Sequence, residues 1–368
     1  MKLALIGDIG LFGRFSYSEN KDLEEYFLDV KALFDDHDFV VGNLETPFVD
    51  KGKPYGAKSA HLFSNPENVE LLNYLKIGAV SLANNHIYDY GLYGLKLTRE
   101  TLYKAGIKYY GIDGLDLDYV DESNKLKFFG YCGYRSTPLN AYAKCLRKKN
   151  YVNGFSVSNL VGDFKKSKLN GYLPIFSLHD GIEHVNYPDS LDIRLARHLA
   201  SSNDYILHGH HPHVMQGVEY FKGSLLSYSL GNFCFDDVYN EKSDLPLVKM
   251  TENNKSSIVL SVEIHKNKII SYETIPLYMG DKKMILNQKS VMKKMQRYSE
   301  ALQNIEVCQE LREKELFEYY SSRKYLRDFN WYLKRFNINS IRMILNSRRC
   351  KKLHKRHYLR ELGLIDLR

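Results

Sequence analysis

The stretch that decides the fold is His208-Gly209-His210-His211-Pro212-His213, which holds four of the thirteen histidines of the chain. It directly follows residues 204 to 207, Asp-Tyr-Ile-Leu, a run that predicts a buried strand entering a turn. Neutral imidazole is a common ligand of transition metals, and the His-x-His spacing of His211 and His213 lets two rings converge on one centre. The stretch therefore predicts a metal-binding loop at the end of a strand, and the alternative is a polar surface loop.

Outward from this stretch, other apolar runs also end in polar side chains. Five predicted strands end in groups that can bind metals or transfer protons, and these groups are Asp8, Glu45, Asn85-His86, His179 and His211-Pro212-His213. Any one of them could be a helix cap or a turn residue. Because ligands bind at the carboxyl ends of strands in open α/β sheets, the set as a whole favours one shared site.

The order of the predicted elements indicates the fold class. Short apolar runs alternate with stretches of helical spacing, which lie at residues 23–34, 67–75, 95–105 and 190–200. This alternation predicts a largely parallel, layered α/β domain. A hairpin that turns at Lys266-Asn267-Lys268 is expected to close the sheet near Leu277, and residues 136–170 are predicted to be loop-rich.

Charge divides the chain near residue 281. Residues 281–368 contain 22 Lys and Arg against 10 Asp and Glu, whereas residues 1–280 contain 30 against 34. From about residue 288 the pattern becomes helical and basic, which predicts a separable helical appendage at 281–368 next to a domain at 1–280. The excess charge predicts an anionic partner for this region, which could be a membrane surface, a nucleic acid or an acidic polymer. The interpretation favoured here is docking of the cluster at residues 348–356 on anionic lipid. The alternative is a solvated helical face packed on the core.

Composition indicates the compartment. The chain has 368 residues with 44% hydrophobic residues, as in a globular protein with a large core. It lacks an apolar run of about 18 residues and a hydrophobic leader, so a cytoplasmic protein, peripheral to the membrane at most, is expected. The cysteines are odd in number without C-x-x-C spacing and are interpreted as reduced bystanders: Cys132, Cys145, Cys234, Cys308 and Cys350.

Six segments carry a resemblance to a known family. They are Gly7-Asp8, Asn43-Leu44-Glu45, Ala83-Asn84-Asn85-His86 with Asp89-Tyr90-Gly91, His179-Asp180-Gly181-Ile182-Glu183, Gly209 to Val214, and Ser229-Leu230-Gly231-Asn232-Phe233. In this order they resemble the poly-γ-glutamate capsule-synthesis protein family, usually called CapA, within the calcineurin-like metallophosphoesterases. The resemblance covers residues 1 to about 280 and implies a calcineurin-like layered α/β sandwich.

The resemblance also implies roles for individual residues. It implies a site for two divalent transition-metal ions, Mn, Fe or Zn, with Asp8, Glu45, Asn85, His179, His211 and His213 as ligands. Glu45 would bridge the two ions. His86 would donate a proton to the leaving group, with Asp89 orienting its ring, while His210 would stay outside the ligand set.

Two positions depart from the patterns of these families. Gly10 stands where ordinary calcineurin-like enzymes have a histidine in an Asp-x-His motif. Asp180 stands where CapA-type proteins commonly have Trp, and this extra carboxylate is expected to change which substrate fits and to repel polyanions near the site.

Together these features predict a CapA-type metal-dependent hydrolase that acts on phosphoesters in capsule, polysaccharide or cell-envelope metabolism. Its substrate would be a small or polymeric phosphoester, and a nucleic-acid partner is not expected. One alternative is hydrolysis or transfer at an amide of a γ-glutamyl polymer. The other is a non-catalytic subunit of a capsule assembly complex, whose metal site is structural.

Overall fold

The computed structural model describes residues 1–55, 60–133, 135, 152–240, 243–325 and 338–363. Its helices are α1 Leu23–Tyr26, α2 Leu28–Asp35, α3 Val69–Tyr74, α4 Gly91–Lys104, α5 Val157–Leu169, α6 Ser190–Ala200, α7 Lys289–Ala301, α8 Ile305–Tyr325 and α9 Ile338–Leu362. Its strands are β1 Lys2–Ile9, β2 Phe39–Leu44, β3 Ile77–Ser81, β4 Lys108–Tyr110, β5 Asp118–Asp121, β6 Leu126–Cys132, β7 Leu173–His179, β8 Ile206–His210, β9 Val218–Phe221, β10 Ser224–Ser227, β11 Asn232–Cys234, β12 Val238–Asn240, β13 Ser243–Val248, β14 Ser256–His265, β15 Lys268–Met279 and β16 Met284–Leu286.

The strands form two large mixed sheets and one short hairpin. The first sheet has the order β16-β15-β14-β1-β2-β3-β4, with β11 paired to β1, and the second has the order β5-β6-β7-β8-β10-β9. Each sheet contains a block of parallel strands, namely β1 to β4 in the first and β6, β7, β8 and β10 in the second, so the carboxyl ends within each block point the same way. Antiparallel strands lie at one edge of the first sheet and at both edges of the second.

Strand β1 shows why the domain is layered. Its residues alternate between two cores: Leu3 and Leu5 face one hydrophobic cluster, and Ala4 and Ile6 face the other. Since side chains of a strand point alternately to opposite faces, a strand that is apolar on both faces must be covered on both sides. The first cluster joins the two sheets and the second joins the first sheet to its helices, which confirms the predicted layered α/β sandwich.

The hairpin and the loop predictions have different outcomes. Strands β14 and β15 pair His265 with Lys268, as predicted for a turn at residues 266–268. The sheet does not end there, because β16 pairs with β15 beyond residue 280. The loop prediction is wrong for part of its range: α5 is a helix, and the Ser156 side chain caps it by accepting a hydrogen bond from Asn159 N at 3.1 Å. The rest of that range, residues 136–151, lies outside the described residues.

The C-terminal helices are part of the main core. Buried side chains from α7, α8, α9 and their connections join the cluster between the sheets: Val291, Tyr298, Ala301, Leu302, Cys308, Tyr358 and Leu362. Polar contacts reinforce this packing, since Ser299 Oγ accepts a hydrogen bond from Val218 N at 3.0 Å and Leu302 O accepts one from Arg197 at 2.6 Å. These contacts argue against a separable appendage, whereas the division of the chain near residue 281 stays a prediction.

Candidate metal centre

The predicted site residues converge at the carboxyl ends of five parallel strands. Asp8 lies near the end of β1, Glu45 follows β2, and Asn85 follows β3 in the first sheet. In the second sheet His179 ends β7, and His211 and His213 follow β8. Strands β1 and β8 are in contact, so the ends of both sheets meet at one place.

The ligand atoms form two sets that share one carboxylate. Glu45, His179 and His211 each offer an atom within 4.8 Å of the others, and so do Asp8, Glu45 and His213. Five of the six predicted ligands belong to these sets, and Glu45 is common to both. The sixth, Asn85, places Oδ1 2.7 Å from Nε2 of His179. The structure therefore brings all six side chains together, and their roles as ligands stay a prediction.

Asp8 is a buried carboxylate held by groups from several strands. Its Oδ1 accepts a hydrogen bond from Asn43 at 2.8 Å, and its Oδ2 accepts one from His211 N at 3.1 Å. Burial alone would raise the pKa of this carboxyl. The contact with His210, supported by His179 and His213, outweighs burial and lowers the pKa below its ordinary value. Asp8 is therefore ionised and suited to a cation.

The imidazoles differ in protonation. Burial and the neighbouring His211 hold the pKa of His179 well below its usual value, and burial lowers the pKa of His211 to about 4. Burial also acts to lower the pKa of His213, but the carboxylates of Glu45 and Asp8 outweigh it and raise that pKa to about 9. His179 and His211 are thus neutral at physiological pH, which is the form that binds metals.

The histidine stretch has a strained backbone. His211 has φ 93° and His213 has φ 56°, values in the left-handed region that side chains other than glycine rarely adopt. Such residues cost on the order of 1–3 kcal/mol each and persist where surrounding contacts hold them. Here the backbone of His211 donates to Asp8, and Nδ1 of His213 lies 2.8 Å from Oδ1 of Asn232. With this backbone conformation, the rings of His211 and His213 each join a ligand set that contains Glu45.

A second pair of groups stands beside the ligand sets. Nδ1 of His86 lies 2.7 Å from Oδ2 of Asp89, and the opposite ring nitrogen, Nε2, lies 3.9 Å from Glu45 Oε1. Asp89 also accepts a hydrogen bond from Leu62 N at 2.7 Å, which fixes its carboxylate. The His86 side chain is 14% exposed, so it borders the centre and still reaches solvent. The predicted orientation of His86 by Asp89 is present in the geometry.

Three residues of the site received no role from sequence reasoning, or only a minor one. Asn43 contacts both Asp8 and, at 3.3 Å, Nδ1 of His179. Asn232 holds His213, and Nδ1 of His210 lies 3.2 Å from Oδ1 of Asp8. The signal for the two asparagines was their position at strand ends, within the segments Asn-Leu-Glu and Gly-Asn-Phe. His210 lies outside both ligand sets, in line with its predicted place.

Comparison with known proteins decides the family. The family model described as "Bacterial capsule synthesis protein PGA_cap" matches residues 2–237, well over half of the chain. The chain belongs to this family. Its matched region contains every residue of the two ligand sets, together with His86 and Asp89.

Two relatives of this chain have names that refer to PGA or capsule biosynthesis. It is 27% identical over 310 residues to "PGA biosynthesis protein CapA" of Bacillus subtilis, an alignment that covers 80% of this chain and 77% of the relative. It is 28% identical over 282 residues to "Capsule biosynthesis protein CapA" of Bacillus anthracis, covering 71% and 66%. A solved hypothetical protein from Thermus thermophilus aligns with a TM-score of 0.45 at 13% identity, covering 75% of this chain and 98% of that one.

In this PGA_cap chain, aromatic rings occupy the space beside Gly10. A Cβ atom added at Gly10 would lie 2.6 Å from the Phe235 ring and 2.8 Å from the Phe12 ring. Phe235 packs in turn on His213, with ring centroids 4.8 Å apart. The space beside Gly10 is therefore filled by the rings of Phe12 and Phe235, and Phe235 also packs on His213.

We expect Gly10→Ala to destabilise the protein by about 1–3 kcal/mol, because the new methyl group overpacks Phe235 and Phe12. The measurement is the thermal unfolding midpoint. Gly162→Ala is the matched control, since nothing lies within 4 Å of its added Cβ in α5 and helix propensity favours alanine. An unchanged midpoint for Gly10→Ala would show that the Phe12 and Phe235 rings move aside at little cost in stability.

Asp180 forms an ion pair with Arg135. Its Oδ1 accepts a hydrogen bond from Arg135 N at 3.0 Å, and its Oδ2 accepts two from the guanidinium at 3.0 and 2.9 Å. The same guanidinium donates to Asp192 at 2.6 Å. One guanidinium shared by two carboxylates offsets only part of their charge, so the expectation that Asp180 repels polyanions stays a prediction.

The described residues also bear on two compositional predictions. Within these ranges, no helix is both long enough and apolar enough to cross a bilayer. Cys132, Cys234 and Cys308 are buried, and Cys234 and Cys308 are free thiols, as predicted for reduced bystanders. Cys350 and Cys145 are not described in this respect.

Proposed function

We propose that the chain is a metal-dependent hydrolase that cleaves a phosphoester during the synthesis of a bacterial capsule or related envelope polymer. The observation that carries the proposal is the arrangement of two ligand sets around Glu45 with the His86–Asp89 pair beside them. Family membership supports the capsule context.

The donor set fits two divalent transition metals. It consists of carboxylate oxygens and imidazole nitrogens without thiolate, which suits Mn²⁺, Fe or Zn²⁺. Asp8 is ionised while His179 and His211 are neutral, so these three groups need no proton change to bind a cation. His213, whose pKa is raised to about 9, would release a proton on binding one. When bound, two ions would supply positive charge for the phosphate and favour a nucleophilic water at neutral pH.

The remaining chemistry belongs to His86. Asp89 binds Nδ1 and so leaves Nε2 turned toward the centre, where a leaving oxygen would need a proton. The pairing with a carboxylate stabilises the protonated ring before the proton is transferred. A structural metal site needs closed coordination and no such donor, so the pair supports catalysis over a non-catalytic role.

A second candidate is action on a γ-glutamyl polymer. The observation in its favour is the name of the Bacillus subtilis relative, which refers to PGA biosynthesis. Amide hydrolysis or transfer would use the same ligands, because the positive charge of two bound ions could polarise a carbonyl oxygen as well as a phosphoryl oxygen.

Metal analysis tests the ligand assignment. We expect the purified protein to hold up to two transition-metal ions, and Asp8→Ala, Asn85→Ala or His211→Ala to lower that content. Glu45→Ala should lower it most, because this carboxylate belongs to both sets. The measurement is elemental analysis after reconstitution with Mn²⁺, Fe²⁺ or Zn²⁺. Folded wild-type protein without any metal would contradict the proposal.

A substrate screen tests the reaction class. Phosphodiesters and phosphomonoesters should be hydrolysed by the loaded protein, and poly-γ-glutamate should not be shortened. Cleavage of the polymer without phosphoesterase activity would favour the second candidate. Loaded protein that is inactive on all three would favour a structural metal site.

A further inference from the structure

The outer face of α9 is strongly cationic. Residues 338–362 contain eight Lys and Arg and one acidic residue, Glu361. Six of the cations are exposed: Arg348, Arg349, Lys352, Lys355, Arg356 and Arg360. Among the carboxylates that the structure describes, none forms an ion pair with any of these six. Their charges therefore face solvent.

Leucines lie among these cations. Leu345 is 60% exposed, Leu353 is 58% exposed and Leu359 is 42% exposed. At about 100° per residue, all three fall in the half of the helix that carries the cations, away from Tyr358 and Leu362. The face thus combines positive charge with apolar side chains that no described element covers.

The opposite face of α9 anchors the helix to the domain. Tyr358 and Leu362 are buried in the core, and the Tyr358 hydroxyl donates to Asp192 Oδ1 at 2.8 Å. Glu361 Oε2 accepts a hydrogen bond from Val157 N at 2.9 Å at the start of α5. Because these contacts hold one side of the helix, the cationic side keeps a constant outward orientation.

We infer that this face docks the protein on the surface of an anionic lipid bilayer. Lipid headgroups would neutralise the six cations while the leucines enter the interface below them. A soluble polyanion would satisfy only the charges and would leave the leucines in water. Residues 1–280 carry 30 basic against 34 acidic residues, so the net attraction to anionic lipid comes from the C-terminal region that contains α9.

Vesicle co-sedimentation of the full-length protein tests the docking. We expect binding to phosphatidylcholine vesicles that contain phosphatidylglycerol, no binding to pure phosphatidylcholine, and loss of binding at high salt. The variant R349Q/K352Q/R356Q should partition about 100-fold more weakly, since each basic residue near the surface contributes about fivefold. The control K104Q/K108Q/K266Q removes three exposed lysines from other elements and should bind as the wild type does.

The leucines separate a bilayer from a soluble polyanion. L345S/L353S changes two exposed side chains and should weaken vesicle binding while binding to heparin stays unchanged. Equal vesicle binding by this variant and the wild type would overturn the inference in favour of a purely electrostatic partner. Wild-type protein that ignores the anionic vesicles would overturn it as well. Neither readout depends on catalysis, so failure here leaves the proposed hydrolase untouched.

Discussion

His86→Ala is expected to retain its metal and lose about 10²–10⁴-fold in turnover of an unactivated phosphodiester, the usual contribution of general-acid catalysis. The metal should remain because His86 belongs to neither ligand set. The loss should be smaller on an activated ester, such as a 4-nitrophenyl phosphodiester, because a good leaving group needs less protonation. The measurement is kcat on both esters together with metal content.

Two further variants make this result specific. His265→Ala removes an exposed histidine at the end of β14 and should leave turnover unchanged. Asp89→Asn should lower kcat less than His86→Ala, because the ring stays in place while its carboxylate partner is lost. If His86→Ala hydrolysed both esters as fast as the wild type, His86 would not be the proton donor.

Truncation after residue 280 is expected to prevent folding into a stable domain. It removes seven buried apolar residues from the core between the sheets, and strand β16 with its buried Met284. Replacing one large core residue by alanine already costs about 2–5 kcal/mol, against a typical total stability of about 5–15 kcal/mol. The measurements are soluble yield and the cooperativity of thermal unfolding.

The same truncation should also disturb the loop that follows His179. Glu315 of α8 accepts a hydrogen bond from Asn186 N at 2.7 Å, and Tyr319 packs on His184 with ring centroids 5.8 Å apart. Truncation after residue 325 keeps these contacts and removes α9, so it should fold with reduced stability and bind metal. A protein ending at 280 that unfolds cooperatively near the wild-type midpoint would show that the C-terminal region is separable after all.

The sequence was sufficient to predict which side chains converge at the site. Asp8, Glu45, Asn85, His179 and the histidine stretch each lie at or shortly after the end of a buried apolar run, and such runs are visible in the local hydrophobic pattern. Parallel strands place their carboxyl ends on one side, so the convergence of these groups followed from the order of strands and helices. The hairpin at residues 266–268 was predicted for the same local reason.

Only the tertiary structure decided which groups share partners. That Glu45 belongs to both ligand sets, that Asn232 holds His213, and that Arg135 pairs with Asp180 all depend on how separate strands and loops pack. The C-terminal region shows the same limit. Its composition predicted basic helices. Tyr298, Leu302 and Tyr358 are buried because the helices cover apolar side chains of the core between the sheets. A local sequence pattern indicates the conformation of neighbouring residues. Contacts such as that between His211 and Asp8, 203 positions apart in sequence, form only when the sheets pack together.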